Sequence, residues 1–185
     1  MKASWWVLVL FGLAACGTGA RGGDMIHLSG TLTDSLPDLG PAPELTNSIW
    51  LNTPAPLRLA DLRGKVVGLE MWTFDCINCQ HVTPSLKAWY ASYQDEGFVL
   101  IGNHFPEFGF ERDLNRLRQA VAAAGIAYPI AQDNAGSTWN AYRNNYWPTL
   151  YLIDKRGRIR YVHVGEGAYD QTEANIKTLL AEAYP

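Results

Sequence analysis

The run Val66-Val67-Gly68-Leu69-Glu70-Met71-Trp72 constrains this chain more than any other segment, because it delivers the backbone to a pair of cysteines. Residues 65–72 read as a buried central strand: mostly apolar, rich in β-branched and large side chains, with no turn former at the end. Shortly after it comes Cys76-Ile77-Asn78-Cys79, and then Val82, Leu86, Trp89 and Tyr93 recur at helical spacing. A strand feeding a helix that opens on a cysteine sets that sulfur at a helix N-terminus. Unpaired N–H groups and the positive end of the helix dipole there favour the thiolate. The thiolate is the form that attacks a disulfide. A second cysteine one turn further in makes the pair a redox dithiol in an α/β chain.

The chain has three cysteines, and the odd one, Cys16, lies near the N-terminus. Lys2 is followed by an apolar run, residues 5–13, too short to span a bilayer comfortably. Leu13-Ala14-Ala15-Cys16 then ends in small residues, as a secretory signal does. It also resembles a bacterial lipobox, which implies cleavage before Cys16 and a diacylglycerol on its sulfur. Expected, then, are a lipoprotein signal peptide over residues 1–15, a flexible Gly-, Ser-, Thr- and Pro-rich tether over 16–43, and a folded domain over 44–185. The stretch 32–39 is expected to pack on that domain. Lipid on Cys16 leaves only the two thiols of the motif, in an extracytoplasmic setting where disulfide chemistry is a standing need. The net charge of −3 and the lack of a basic run argue against nucleic-acid binding.

Residues 48–52 and 57–59 flank Thr53-Pro54-Ala55-Pro56 and suggest an N-terminal hairpin extension. A helix is expected over 76–95, kinked at Pro84 and stopped by Gly97, then a second buried strand over 98–102. A helix over 111–124, a short strand over 128–130 and a short helix over 138–144 come next. Strands over 149–153 and 159–164 are joined by the turn Asp154-Lys155-Arg156-Gly157-Arg158, and a last helix covers 171–183. This order predicts a mixed central sheet flanked by helices on both faces.

Trp72-Thr73-Phe74-Asp75-Cys76-Ile77-Asn78-Cys79 resembles the active-site segment of thioredoxin-like proteins, and most closely the TlpA-like redoxins. In particular it resembles the periplasmic thioredoxin domain often fused to a CcdA/DipZ-type membrane electron transporter. Trp147-Pro148-Thr149 before a strand, Pro84 in the helix, and Tyr151-Leu152-Ile153-Asp154 with Gly157 extend the likeness over residues 44–183. The resemblance implies a thioredoxin-like fold and a membrane-tethered thiol:disulfide oxidoreductase that reduces disulfides of exported proteins, with cytochrome c maturation as one setting. It implies Cys76 as nucleophile, Cys79 as resolving thiol, Glu70 as the buried carboxylate that takes the proton of Cys79, and Pro148 as a cis proline facing the dithiol. Trp72, Phe74, Trp147 and Thr149 are expected around the substrate. No metal and no cofactor beyond the redox-active pair are expected, and the chain is expected to be monomeric. A separate CcdA/DipZ-type membrane protein is the expected electron donor.

His104 and Glu107 are read as a loop near the site, and Asp133, Trp139 and Tyr142 as structural. Two other functions compete. A thiol peroxidase shares the shape and the Thr73-x-x-Cys76 spacing, although its resolving cysteine is usually distant. A copper-binding redoxin module would need a wider cysteine spacing and a distant histidine. The middle dipeptide Ile77-Asn78 differs from that of cytoplasmic thioredoxins, which leaves the redox potential and the direction of electron flow open.

Overall fold

The structure, a computed structural model, describes residues 35–184. The expected signal peptide, Cys16 and the tether up to residue 34 lie outside the described residues. Six strands form one sheet: β1 (Ile49–Leu51), β2 (Val66–Trp72), β3 (Phe98–His104), β4 (Ile130–Gln132), β5 (Thr149–Ile153) and β6 (Ile159–Val164), in the order β1-β4-β3-β2-β5-β6. The central strands β2, β3 and β4 run parallel, and β1, β5 and β6 pair antiparallel. Four helices complete the domain: α1 (Ile77–Tyr93), α2 (Leu114–Ala123), α3 (Ser137–Ala141) and α4 (Tyr169–Ala181). This is the mixed α/β layout expected of the chain.

The two-residue period of β2 divides the core. Val66, Glu70 and Trp72 face α1, α2 and α4, with Leu86, Trp89, Leu117, Ile176 and Leu179 packed over them. Val67, Leu69 and Met71 face the other side, against Leu45, Leu59, the α3 residue Trp139 and its neighbour Tyr142. Every residue of β2 is buried, as its central place requires. Gly102 of β3 matters locally. A Cβ there would stand 2.6 Å from Ile130 Cδ1 and 2.8 Å from the Trp72 indole nitrogen, so only glycine lets that ring lie across β3.

The N-terminal hairpin does not form. β1 pairs with β4, and residues 57–59 are not a strand. Pro54 and Pro56 have no N–H for a ladder. Asn52 turns the chain with a φ of 58° and donates its amide to the carbonyls of Ile126 and Tyr128, at the entrance to β4. The Leu59 and Ala60 N–H groups go instead to the Glu44 carboxylate, which caps the short 3-10 turn Leu59–Leu62. Helix α1 runs unbroken through Pro84, and Gly97 follows its 3-10 extension with a φ of 96°.

The segment just before residue 44 is part of the folded unit. Leu39 N–H donates to the Ile159 carbonyl, Ile159 N–H to Gly40, and Ala42 N–H to Gly157, so the chain lies along the β5–β6 hairpin. Arg160, 8 % exposed, donates to the carbonyls of Leu36 and Pro37 and forms ion pairs with Asp154 and Glu182. Asp133 accepts from the N–H groups of Thr138 and Trp139 and caps α3, in keeping with its reading as structural.

Candidate active site

Cys76 is the N-cap of α1, and its sulfur accepts from the Cys79 N–H at 3.4 Å. It is half-buried, whereas Cys79 is 1 % exposed; both are free thiols. One cysteine therefore keeps some surface and the other almost none. Ile77, beside the outer sulfur, is 59 % exposed.

Beneath α1, Glu70 projects from the centre of β2. It is 1 % exposed; Tyr128 donates to Oε2 at 3.4 Å, and Oε1 has no partner. Burial pushes its carboxyl up to about 8, partly offset by the tyrosine. Burial, and then the Glu70 charge, push the Cys79 thiol well above its ordinary range. The Glu70 charge thus opposes ionisation of the Cys79 thiol.

The Trp147–Pro148 bond is cis. The antiparallel register pairs Glu70 with Leu150 and Met71 with Thr149, which brings the start of β5 level with the end of β2. Pro148 is buried and walls, with Glu70, a cavity of about 20 Å³.

The four residues expected around the substrate divide. Phe74 and Trp147 are half-buried, but Trp72 and Thr149 are 4 % and 1 % exposed and present almost no surface. Trp72 instead packs edge-on against His104, and Thr149 Oγ1 donates to the Tyr146 carbonyl. The exposed aromatic rim comes from a segment with no motif of its own in the sequence: Phe110 lies 6.1 Å from Phe74, and Phe108 stacks on Phe110 at 5.8 Å. Both are more than 40 % exposed.

His104 is the last residue of β3 and fully buried, not a loop residue, while Glu107 is exposed. Neither carries the main interaction of this region; Glu111 does. It is 0 % exposed and accepts from the Thr73 hydroxyl, from Asp75 N–H at 3.2 Å, and from the N–H groups of Glu107 and Phe108 at 2.7 Å each. One carboxylate therefore ties the loop that leads into Cys76 to the loop after β3. Since the Thr73 hydroxyl gives its proton to Glu111, it accepts from His104 Nε2 at 3.2 Å. That leaves a neutral imidazole, held so by burial, which lowers the His104 pKa to about 4. The only sequence signal for Glu111 is an acid just ahead of an amphipathic helix, which ordinarily marks a solvated first turn.

The sequence profile of the AhpC/TSA family matches residues 40–162. The chain belongs to the AhpC/TSA family. The protein DipZ of Mycobacterium tuberculosis is 46 % identical over 153 residues, which cover 81 % of this chain and 22 % of that protein. The chain thus spans about a fifth of the length of the DipZ proteins. The thiol-disulfide oxidoreductase YkuV of Bacillus subtilis is 27 % identical over 77 % of this chain and 95 % of its own. Among solved structures, the thioredoxin-like superfamily protein SPOA0173 superposes with a TM-score of 0.74 at 33 % identity, covering 79 % of this chain and 99 % of that one. The fold is thioredoxin-like, and the relatives of this AhpC/TSA chain include thiol-disulfide oxidoreductases. Among the described residues, no helix is long and apolar enough to cross a membrane, and no group of three or more His, Cys, Asp or Glu side chains is placed to hold a metal ion.

Proposed function

We propose that the chain is a thiol:disulfide oxidoreductase that works through Cys76 and Cys79. The observation that carries this reading is the grouping of one half-buried sulfur, one buried sulfur and one buried carboxylate at the mouth of α1. Cys76 attacks a substrate disulfide, forms a mixed disulfide and expels the first substrate thiolate. Cys79 loses its proton to the Glu70 carboxylate and attacks the Cys76 sulfur. The Cys76–Cys79 disulfide forms, the bond from Cys76 to the substrate breaks, and the second thiolate leaves. The dithiol is oxidised and the substrate reduced by two electrons. Because Glu70 must be ionised to take the proton, the resolving step is expected to quicken as pH rises towards about 8.

The substrates are disulfides of exported proteins, and the setting is the cell envelope, with the lipid on Cys16 as the anchor and a separate CcdA/DipZ-type membrane protein as electron donor. The likeness to DipZ supports that setting, and apocytochrome c before haem attachment is one client of suitable chemistry. The exposed rim of Ile77, Phe108 and Phe110, with half-buried Phe74 beside it, suits a polypeptide better than a small thiol.

Insulin reduction tests the assignment. Cys76→Ala is expected to abolish it, and Cys79→Ala to accumulate mixed disulfides visible on a non-reducing gel. An unchanged rate in Cys76→Ala would sink the nucleophile assignment. A redox titration of the pair decides direction, a strongly negative potential marking a reductase. The competing peroxidase reading draws on the family match and on Thr73-x-x-Cys76. Thr73 is 0 % exposed and its hydroxyl proton is committed to Glu111, which removes it from a peroxide at Cys76. Rapid turnover of peroxide in stopped flow would reverse that preference.

A further inference from the structure

A carboxylate that takes a proton on every turnover must also lose it, and Glu70 has no surface of its own. Its Oε1 is unpaired and buried. The cavity of about 20 Å³ that it walls has room for one water. Most of the remaining wall is apolar, from Val82, Leu86, Leu150 and Pro148, and the imidazole in it is that of His163.

The sheet register places these two groups independently of the cavity. Glu70 is paired with Leu150, and Leu150 with His163. Directly opposed residues of antiparallel strands project to the same face, so Glu70, Leu150 and His163 form one row across β2, β5 and β6. The backbones of the outer two stand two strand spacings apart, about 10 Å, with Leu150 between them, and both side chains line the one cavity. His163 Nε2 contacts the Glu166 carbonyl at 3.2 Å, and a carbonyl only accepts, so Nε2 carries a hydrogen there. In the neutral ring, Nδ1 is then free to accept. His163 is half-buried, and beyond it the Glu166 carboxylate meets His81 Nδ1 at 3.1 Å in a pair that is 40 % and 54 % exposed. Burial falls steadily along this row from Glu70 outwards.

We propose that His163 is the exit port for the proton that Glu70 takes from Cys79. This rests on the dithiol mechanism above and extends it. The protonated carboxyl gives its proton to the cavity water, the water passes one to His163 Nδ1, and the imidazolium releases one to solvent beside Glu166 and His81. Glu70 returns to carboxylate and no electrons move. Tyr128 and Cys79 also face Glu70; Tyr161, which stacks on the ring and contacts the Thr172 hydroxyl, Tyr169 and Thr172 across the cavity, and Glu166 are the other polar groups around His163. His163 acts through Glu70 and touches neither sulfur.

Stopped flow of the reduced full chain with a chromogenic aryl disulfide separates the steps. One aryl thiolate leaves when Cys76 attacks, and a second when Cys79 resolves the mixed disulfide. At pH 7 Glu70, which keeps its proton up to about 8, must first shed one through this port before it can take that of Cys79; in His163→Ala the second phase is therefore expected to slow about tenfold, less than the hundredfold or more that a direct general acid or base supplies, while the first phase is unchanged. Added imidazole, which fits the space the side chain vacates, is expected to restore the second phase in proportion to its concentration. His163→Gln, which keeps the strand filled, is expected to be equally slow. A second phase at the wild-type rate in either variant overturns the proposal, as does slowing that imidazole leaves untouched. Glu70→Gln distinguishes the two levels. If it slows the second phase and the His163 variants do not, the relay through Glu70 stands and the exit port falls. If it leaves the second phase unchanged, the Glu70 relay fails and the exit port with it.

Discussion

Glu70 sets a conflict between stability and function at a single residue. In the folded chain the buried carboxyl keeps its proton up to about 8, against an ordinary value of 4.5. Between those limits the unfolded chain releases a proton that the folded chain holds. The contribution is therefore fully present below pH about 4.5 and is lost as pH rises through about 8, at about 1.4 kcal/mol per pH unit. Urea unfolding of wild type between pH 5 and 8 is expected to show this loss, and Glu70→Gln to flatten the curve by that amount. An identical slope in the variant would mean that Glu70 ionises freely in the fold. The functional consequence runs the other way, since the ionised form that costs stability is the one that accepts the Cys79 proton. An acid amid Val66, Val67, Leu69 and Met71 was legible in the sequence as out of place. Its pairing with Tyr128, which is distant along the chain, was not.

At the level of elements, the mouth of α1 is held by a carboxylate from the short 3-10 turn Gly109–Arg112, not by α1 itself. Each Glu111 oxygen receives two donors: Thr73 and Asp75 on one, Glu107 and Phe108 on the other. Glu111→Gln opposes an amide N–H₂ to two of those donors whichever way it turns. The expected loss is about 3 kcal/mol, the scale for buried donors left without a charged acceptor, read from denaturant midpoints. The alkylation rate of Cys76 is expected to change as well, because the unpinned loop is the one that ends on its sulfur; an unchanged rate would confine Glu111 to a structural role. The helix after the motif, its Gly97 stop and the β5–β6 hairpin could be read from periodicity and turn residues, because those signals are local. The supposed hairpin at 48–59 failed because each half satisfies its backbone with a remote group, β1 with β4 and residues 59–60 with Glu44.

Across the whole molecule, one buried cation joins three parts of the chain that are far apart in sequence. Arg160 binds Leu36 and Pro37 ahead of β1, Asp154 in the hairpin and Glu182 after α4. Replacing it with alanine leaves the Asp154 carboxylate, which is 3 % exposed, without its cation and with only the N–H groups of Arg156 and Arg158 as donors. Arg160→Ala is expected to cost about 4 kcal/mol and to expose the segment before residue 44 to limited proteolysis. A melting temperature within a degree or two of wild type would show that the cluster is dispensable. Taken alone, the sequence determined the order of strands and helices from β2 onwards, the dithiol at a helix start and the acid in the central strand, because hydrophobic period, capping position and turn chemistry are properties of neighbouring residues. Only the tertiary structure decided that Trp72 and Thr149 are interior, that Glu111 holds the active-site loop, and that Glu70 and His163 share one row and one cavity. Those relations depend on which strands lie side by side, and strand pairing is set by burial across the whole sheet.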